Sequence, residues 1–287
     1  MPTTAADWTI RGKTCLITGP TAGIGRATAL ALGRLGADLV LVCRDRERGE
    51  ALASEIGKDA GGGSCEVMIA DLSSQQSIRE LARDFLARER PLHVLLNNAG
   101  VFELSRKTTV DGIETVFAVN HLAYFLLTHL LLDRLKASAP ARIINVASDA
   151  HRWGTIDFDD LQGERSYRSM KIYGRSKLAN ILFTAELARR IEGSGVTVNS
   201  LHPGAVSTRL GAQNGAIARV LIGLLRPFMR TPENGAATSI HLATAASSAN
   251  GEYFADCKVA RVTSEARDPK VARRLWDVSA AMTGLAR

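Results

Sequence analysis

Short apolar runs alternate with amphipathic segments along most of the chain. The runs are Lys13–Thr18, Asp38–Cys43, Glu66–Ala70, His93–Leu96, Arg142–Val146 and Val196–Leu201, with Glu252–Phe254 as a seventh. Runs this short and this apolar suit strands buried on both faces. Between them, apolar residues recur at helical spacing. Such stretches run up to Arg34, over Arg46–Lys58, from a Ser73 cap to about Arg90, over Thr108–Lys136, and onward from Tyr173. In the last, Leu178, Ile181, Leu182, Ala185, Ala188 and Ile191 form one stripe. Further helices are expected over Ala216–Arg230, from Pro232 behind a Thr231 cap, and over 268–280. This alternation predicts an α/β fold: a doubly wound parallel sheet of about seven strands, with helices on both faces. One domain over 1–287 accounts for it, with a core at 13–201, a lid region at 205–247 and an extension at 248–287.

Composition narrows the class. The 287 residues are 46% hydrophobic and 23% charged, which suits a globular protein with a sizeable core. The net charge of +7 raises the question of nucleic acid. Lys and Arg are mixed with acids, and no aromatic residues interleave with a basic stripe, so a solvated basic surface is the better reading. Met1 to Thr9 is polar and lacks the apolar run of a secretory signal, and no charge-free apolar stretch suggests a spanning helix. A cytoplasmic location is the expectation. Cys15, Cys43, Cys65 and Cys257 form no CxxC pair, and the six His show no metal-ligand spacing.

Candidate chemistry gathers at the carboxyl ends of the expected strands, where doubly wound sheets bind ligands. The first strand runs into Gly19-Pro20-Thr21-Ala22-Gly23-Ile24-Gly25 and then a helix. Glycines allow a tight turn and close approach, and the helix N-terminus offers N–H groups to a pyrophosphate. Arg44 ends the second strand, about 20 residues beyond the last glycine, where a ribose is usually read. An arginine there favours a 2′-phosphate, hence NADP over NAD, although Asp45 next to it could supply a carboxylate. Asp71 and Leu72 end the third strand, and Asn97-Asn98-Ala99-Gly100 the fourth. The two amides could face a ligand or brace neighbouring strands. Asn120 sits among apolar residues of the long helix, where a buried amide needs committed partners. Ser148 follows the fifth strand, and His202-Pro203-Gly204 the sixth.

Tyr173 and Lys177 lie four apart, roughly one helical turn, and so share a face. An ammonium beside a phenol lowers a pKa that is otherwise about 10 and prepares it for proton transfer. The same spacing occurs at Tyr167 and Lys171. The spacing by itself does not choose between the two pairs.

Taken together, Thr18-Gly19-x-x-x-Gly23-Ile24-Gly25, Asn98-Ala99-Gly100, Asn120, Ser148, Tyr173-x-x-x-Lys177 and Pro203-Gly204 resemble the short-chain dehydrogenase/reductase family, in its order and over nearly the whole chain. Cys43-Arg44-Asp45, Leu161-Gln162-Gly163-Glu164, Ser176-Lys177-Leu178-Ala179-Asn180 and Arg274-Leu275-Trp276-Asp277 are similar to the retinol-dehydrogenase-like branch. The resemblance implies a Rossmann-type fold, with Tyr173 as general acid/base and Lys177 as the residue that lowers its pKa and holds the nicotinamide ribose. It implies that Ser148 steadies the substrate oxygen and that Asn120 keeps a water in a proton relay. It also implies cofactor contacts at Gly19, Thr21, Gly23, Ile24, Gly25, Asp71, Leu72, Asn98, Ala99, Gly100, Pro203, Gly204, Val206 and Thr208. It selects Tyr173 over Tyr167, because only Tyr173 is followed by Ser176, Ala179 and Asn180. Pro20 and Ala22 depart from the pattern, where small or hydroxyl residues are common.

The expected activity is an NADP(H)-dependent interconversion of an alcohol and an aldehyde or ketone, with NAD(H) as the lesser cofactor. A non-catalytic NADP(H) sensor on the same fold is the alternative; the full proton-handling set argues against it. Epimerase-type relatives resemble TGxxGxxG at the first loop, whereas this chain has TGxxxGxG. The substrate is expected to be small and apolar. Ala216–Arg230 reads as a lid, a membrane-surface patch or a core helix. A homo-oligomer is compatible with the sequence.

Overall fold

The computed structural model describes residues 8–59, 61–204, 206, 230–247 and 249–285. Seven strands run parallel: β1 Thr14–Thr18, β2 Asp38–Cys43, β3 Cys65–Ile69, β4 Val94–Asn97, β5 Ala141–Val146, β6 Val196–His202 and β7 Tyr253–Ala255. An antiparallel β8, Lys258–Val259, closes the edge. The spatial order is β3-β2-β1-β4-β5-β6-β7-β8. The chain steps outward from β1 to β3, then returns to the other side of β1 with β4. That reversal opens a crevice above β1 and β4, the usual ligand position in such sheets.

The helices are α1 Gly23–Arg34, α2 Arg46–Asp59, α3 Gln75–Leu86, α4 Thr115–Ala137, α5 Ser169–Arg190, α6 Pro232–Thr244 and α7 Pro269–Met282. Side chains alternate across the strands, so β1, β2, β4, β5 and β6 each feed two cores. Cys15, Ile17, Leu39, Leu41, Leu96 and Ile144 pack with Ala29, Leu32, Leu52, Ile56 and Leu242 on the face covered by α1, α2 and α6. Leu16, Val40, Leu95, Ile143 and Val198 pack with Ile78, Phe85, Phe125, Leu131 and Phe183 on the face covered by α3, α4 and α5. Helix α4 is long and apolar enough to cross a membrane, but 78% of its apolar window is buried in this second core, as befits a central helix of a three-layer fold.

Several boundaries move. Helix α4 begins at Thr115, not Thr108: Gly112 takes φ 72° in a turn, Thr108 bridges Glu114, and the Glu114 carboxylate caps the N–H groups of Val116 and Phe117 at 2.8 and 2.7 Å. Ser74 rather than Ser73 caps α3, accepting from the Ser77 N–H, and α3 ends at Leu86. Helix α5 begins at Ser169, so Tyr173 stands a turn inside it. The eighth strand was not expected. It is two exposed residues long, and its turn is built from Asp256 and Cys257 at φ 48° and 62°, without the glycine that marks such turns. Within α4, Ala118–Leu122 forms a π-helical turn that periodicity alone does not reveal. Of the expected lid region, residues 207–229 lie outside the described residues, as does all of Ala216–Arg230 except Arg230. The remainder contains α6, which packs on the sheet through Leu242 and Ala243.

Candidate active site

The glycine turn is a cradle that side chains would fill. Gly19 and Gly23 take φ 64° and 54°, a region that favours glycine. A Cβ at Gly25 would stand 2.4 Å from both the Asn98 amide nitrogen and the Gly19 carbonyl. Helix α1 follows with extended Ala22 at its N-cap, no side-chain cap and no acid in its first turn. Its first N–H groups and positive dipole end are therefore not answered by a side chain at the cap, as anion binding requires. The residues present fit a dinucleotide pyrophosphate.

The amides after β4 brace strands. Asn98 donates to the carbonyls of Thr18 at 2.8 Å and Gly19 at 3.1 Å, while the Thr18 hydroxyl accepts from the N–H groups of Asn98 and Ala99. Asn97 donates to Thr128 and Asn145, and Asn145 donates to Thr184, which carries the tie from β4 across β5 to α5. Asn98 thus supports the turn from beneath, with its amide nitrogen committed to that task. Tyr124, missed in the sequence, donates to the Ala99 carbonyl at 2.8 Å.

On the other side of the turn, Arg44 is exposed and has no ion-pair partner among the described residues. Asp45 does not compete freely for a ribose, because one carboxylate oxygen accepts the Arg48 N–H at 3.1 Å and caps α2. Arg48 was also missed. Its guanidinium donates to the Thr21 carbonyl at 3.0 Å, placing a second cation on the glycine turn. Asp71 is exposed and holds Ser73 through its N–H and hydroxyl, beside buried Leu72.

Four expected catalytic residues converge at the crevice. A Cβ on Gly100 would lie 3.4 Å from the Asn120 side-chain oxygen and 3.6 Å from Lys177 Nζ. Asn120 sits in the π turn. Its Oδ1 accepts from the Val101 N–H at 2.7 Å, and its Nδ2 donates to the Val101 carbonyl and to Ser176 Oγ, each at 3.0 Å. Both amide hydrogens are therefore committed to protein partners. Ser176 in turn donates to the Tyr173 carbonyl at 2.7 Å, which ties α4 to the turn of α5 that carries the phenol. Asn180 donates to the Asn120 carbonyl at 2.8 Å.

Ser148 caps the short helical turn Asp149–Trp153 and hydrogen-bonds Tyr173 through its side chain. That bond favours the phenolate, but burial outweighs it and pushes Tyr173 up to about 12. Lys177 is buried, and desolvation drops it to about 7. Its Nζ donates to the Val146 carbonyl at 2.9 Å and stands 5.7 Å from the Tyr173 ring centroid. The expected lowering of the phenol by an ammonium is thus reversed in the protein by itself: burial acts on both groups and disfavours both charges. Phe102, also missed, meets Tyr173 edge-on at 5.6 Å between centroids.

The duplicate pair separates. Tyr167 precedes the first residue of α5, so it shares no helical face with Lys171. Its hydroxyl turns to Glu114 at 3.3 Å, and burial beside that carboxylate raises its pKa. At the far wall, Gly204 takes φ 82° and donates its N–H to His202 at 3.0 Å. Val206 pairs with Arg230, which makes an ion pair with Asp256. Thr208 lies outside the described residues.

A doubly wound sheet with a glycine turn at its switch point, and with Ser, Tyr and Lys converging on one crevice, defines a dinucleotide-dependent oxidoreductase. The family model for short chain dehydrogenase matches residues 13–217, and the chain belongs to that family, in its retinol-dehydrogenase-like branch. It is 49% identical to human retinol dehydrogenase 11 over 96% of this chain and 86% of that protein. It is likewise 49% identical to mouse retinol dehydrogenase 12, over 96% and 88%. Among solved structures, an uncharacterized protein of Mycobacterium paratuberculosis superimposes with a TM-score of 0.79 at 31% identity, over 99% of this chain and 98% of that one. A short chain dehydrogenase of Burkholderia cenocepacia in complex with NADP gives 0.69 at 26%, over 86% and 97%. The protein is an NAD(P)-dependent oxidoreductase of the alcohol dehydrogenase type.

Proposed function

We propose that the protein interconverts an apolar primary or secondary alcohol with its aldehyde or ketone, using NADP(H) in preference to NAD(H), with Tyr173 as the general acid/base. The observation that carries this reading is the convergence of Ser148, Tyr173 and Lys177 over the β1–β4 crevice, beside Asn120. The glycine turn would hold the pyrophosphate, and Arg44 and Arg48 would answer a 2′-phosphate. When bound, the nicotinamide supplies or accepts the hydride.

The chain's own residues handle the proton and the oxygen. In the reductive direction the Tyr173 hydroxyl donates its proton to the carbonyl oxygen as that oxygen gains charge, while Ser148 steadies the same oxygen by a hydrogen bond. Tyr173 becomes a phenolate. Protonated Lys177 stabilises it, and because the two groups are close, each charge strengthens the other.

An apolar substrate is supported by Phe102, whose ring meets Tyr173 edge-on. The curated relatives are named for retinol, an apolar alcohol. The test compares Tyr173→Phe with Tyr167→Phe, using NADPH and a panel of straight-chain aldehydes and retinaldehyde. We expect Tyr173→Phe to lose on the order of 10²–10⁴ in kcat and Tyr167→Phe to stay close to wild type. The opposite ranking would sink the assignment.

A further inference from the structure

Behind Ser148 lies a group of aromatic side chains that the reaction above does not use. His151 is fully buried, and Tyr253 is nearly so. Their rings meet edge-on at 5.2 Å between centroids, and His202 stacks on the other side of Tyr253 at 6.0 Å.

The hydrogen bonding of His151 is one-sided. Its backbone N–H and its Nδ1 both reach the Ser148 carbonyl, at 3.1 and 2.8 Å. A carbonyl only accepts, so Nδ1 carries the proton and Nε2 presents a bare lone pair. Burial holds the ring below its ordinary pKa, in keeping with a neutral imidazole. Among the described residues that Nε2 is buried without a partner, and so is the Tyr253 hydroxyl. One needs a donor and the other has a proton to give. Two buried, complementary and unanswered groups on rings in contact mark a place where a small rotation or one water joins them.

We propose that His151 and Tyr253 are positioning residues for Ser148: the Tyr253 hydroxyl, directly or through one water, fixes the His151 tautomer, and His151 Nδ1–H fixes the Ser148 carbonyl. This rests on the oxidoreductase reading above. Ser148 is the first residue of a tight turn. Its carbonyl accepts twice from His151, and its Oγ accepts from the Ala150 N–H at 3.2 Å. Anchoring the carbonyl sets the peptide plane and so the direction in which Oγ meets Tyr173 and the substrate oxygen. Tyr253 also stacks on His202, whose ring accepts the Gly204 N–H, so NADPH affinity is measured beside kcat to separate an effect on Ser148 from one on the cofactor. In other sites too, the partner on one ring nitrogen of a histidine sets its tautomer and ring orientation.

The experiment uses the full chain and two polar replacements of matched character. In His151→Asn the amide nitrogen takes the place of Nδ1 and can still donate to the Ser148 carbonyl. In His151→Gln the amide reaches the place of Nε2 and leaves that carbonyl without its side-chain donor. Tyr253→Phe is the third variant. Reduction is measured with NADPH and the fastest aldehyde of a C4–C12 and retinaldehyde panel, alongside NADPH affinity by fluorescence and the thermal midpoint. His151→Gln is expected to lose roughly 10–100-fold in kcat with NADPH affinity within about twofold of wild type, His151→Asn to recover most of that loss, and Tyr253→Phe to fall between. The proposal is overturned if His151→Gln equals or exceeds His151→Asn, if Tyr253→Phe is indistinguishable from wild type, or if the losses follow NADPH affinity or melting rather than kcat. A wild type that reduces no aldehyde or ketone with NADPH would instead overturn the carbonyl-reducing reading proposed above, and this proposal with it.

Discussion

Lys177 and Tyr173 sit one turn apart on α5, yet the lysine nitrogen bonds the Val146 carbonyl at 2.9 Å and stands 5.7 Å from the Tyr173 ring centroid. The lysine is anchored to the end of β5, the strand that leads into Ser148. Its position is therefore set by the sheet as much as by its own helix.

Burial lowers Lys177 from 10.5 to about 7, which ties it to stability. Between those values the unfolded chain binds the proton and the folded chain does not. Stability from this group therefore grows as pH rises above about 7 and is lost as pH falls through it. In the absence of cofactor, the thermal midpoint of wild type minus that of Lys177→Met should increase from pH 7 to pH 9. A difference that stays flat over this range would mean the lysine is charged throughout.

The second prediction concerns cofactor choice. Arg44 is exposed beside the turn, and the Asp45 oxygen caps α2. Arg44→Ala should lower kcat/KM for NADPH about 10–100-fold and change that for NADH little, the range expected when a charge-assisted phosphate contact of about 1.5–3 kcal/mol is removed. An unchanged ratio would rule out Arg44 as the discriminator. It would leave Arg48, on the Thr21 carbonyl, as the next residue to replace.

Two glycines should respond in opposite ways to alanine. At Gly25 a methyl group would meet the Asn98 amide and the Gly19 carbonyl at 2.4 Å, so Gly25→Ala should destabilise by about 1–3 kcal/mol and weaken NADPH binding. At Gly57, exposed near the end of α2, no atom of the described residues outside its own helical turn lies within 4 Å of the added carbon. Gly57→Ala should stabilise by about 0.5–1 kcal/mol and leave binding alone. Urea melts and NADPH titrations of the pair check this, and equal effects at both sites would refute the close-packed cradle.

The sequence by itself determined the layered sheet and the edge on which the chemistry gathers. Strand and helix periods are local, and a chain of short apolar runs separated by amphipathic helices has few ways to bury them all. The glycine turn and the Tyr-x-x-x-Lys spacing are likewise local: the turn lies between β1 and α1, and the spacing falls on α5, a turn inside its start rather than at it. What the tertiary structure decided depends on burial and on partners far away in the chain. It set apart two identical Tyr–Lys spacings by starting α5 at Ser169, after Tyr167. It turned Asn97 to the Thr128 and Asn145 side chains, Asn98 to the Thr18 and Gly19 carbonyls and Asp45 to the Arg48 N–H, partners that folding brings within reach. It inserted a π turn at Asn120 and set His151 beneath Ser148. Above all it fixed charge: desolvation moves Tyr173 up and Lys177 down, and no spacing in a sequence records how much water a folded chain excludes.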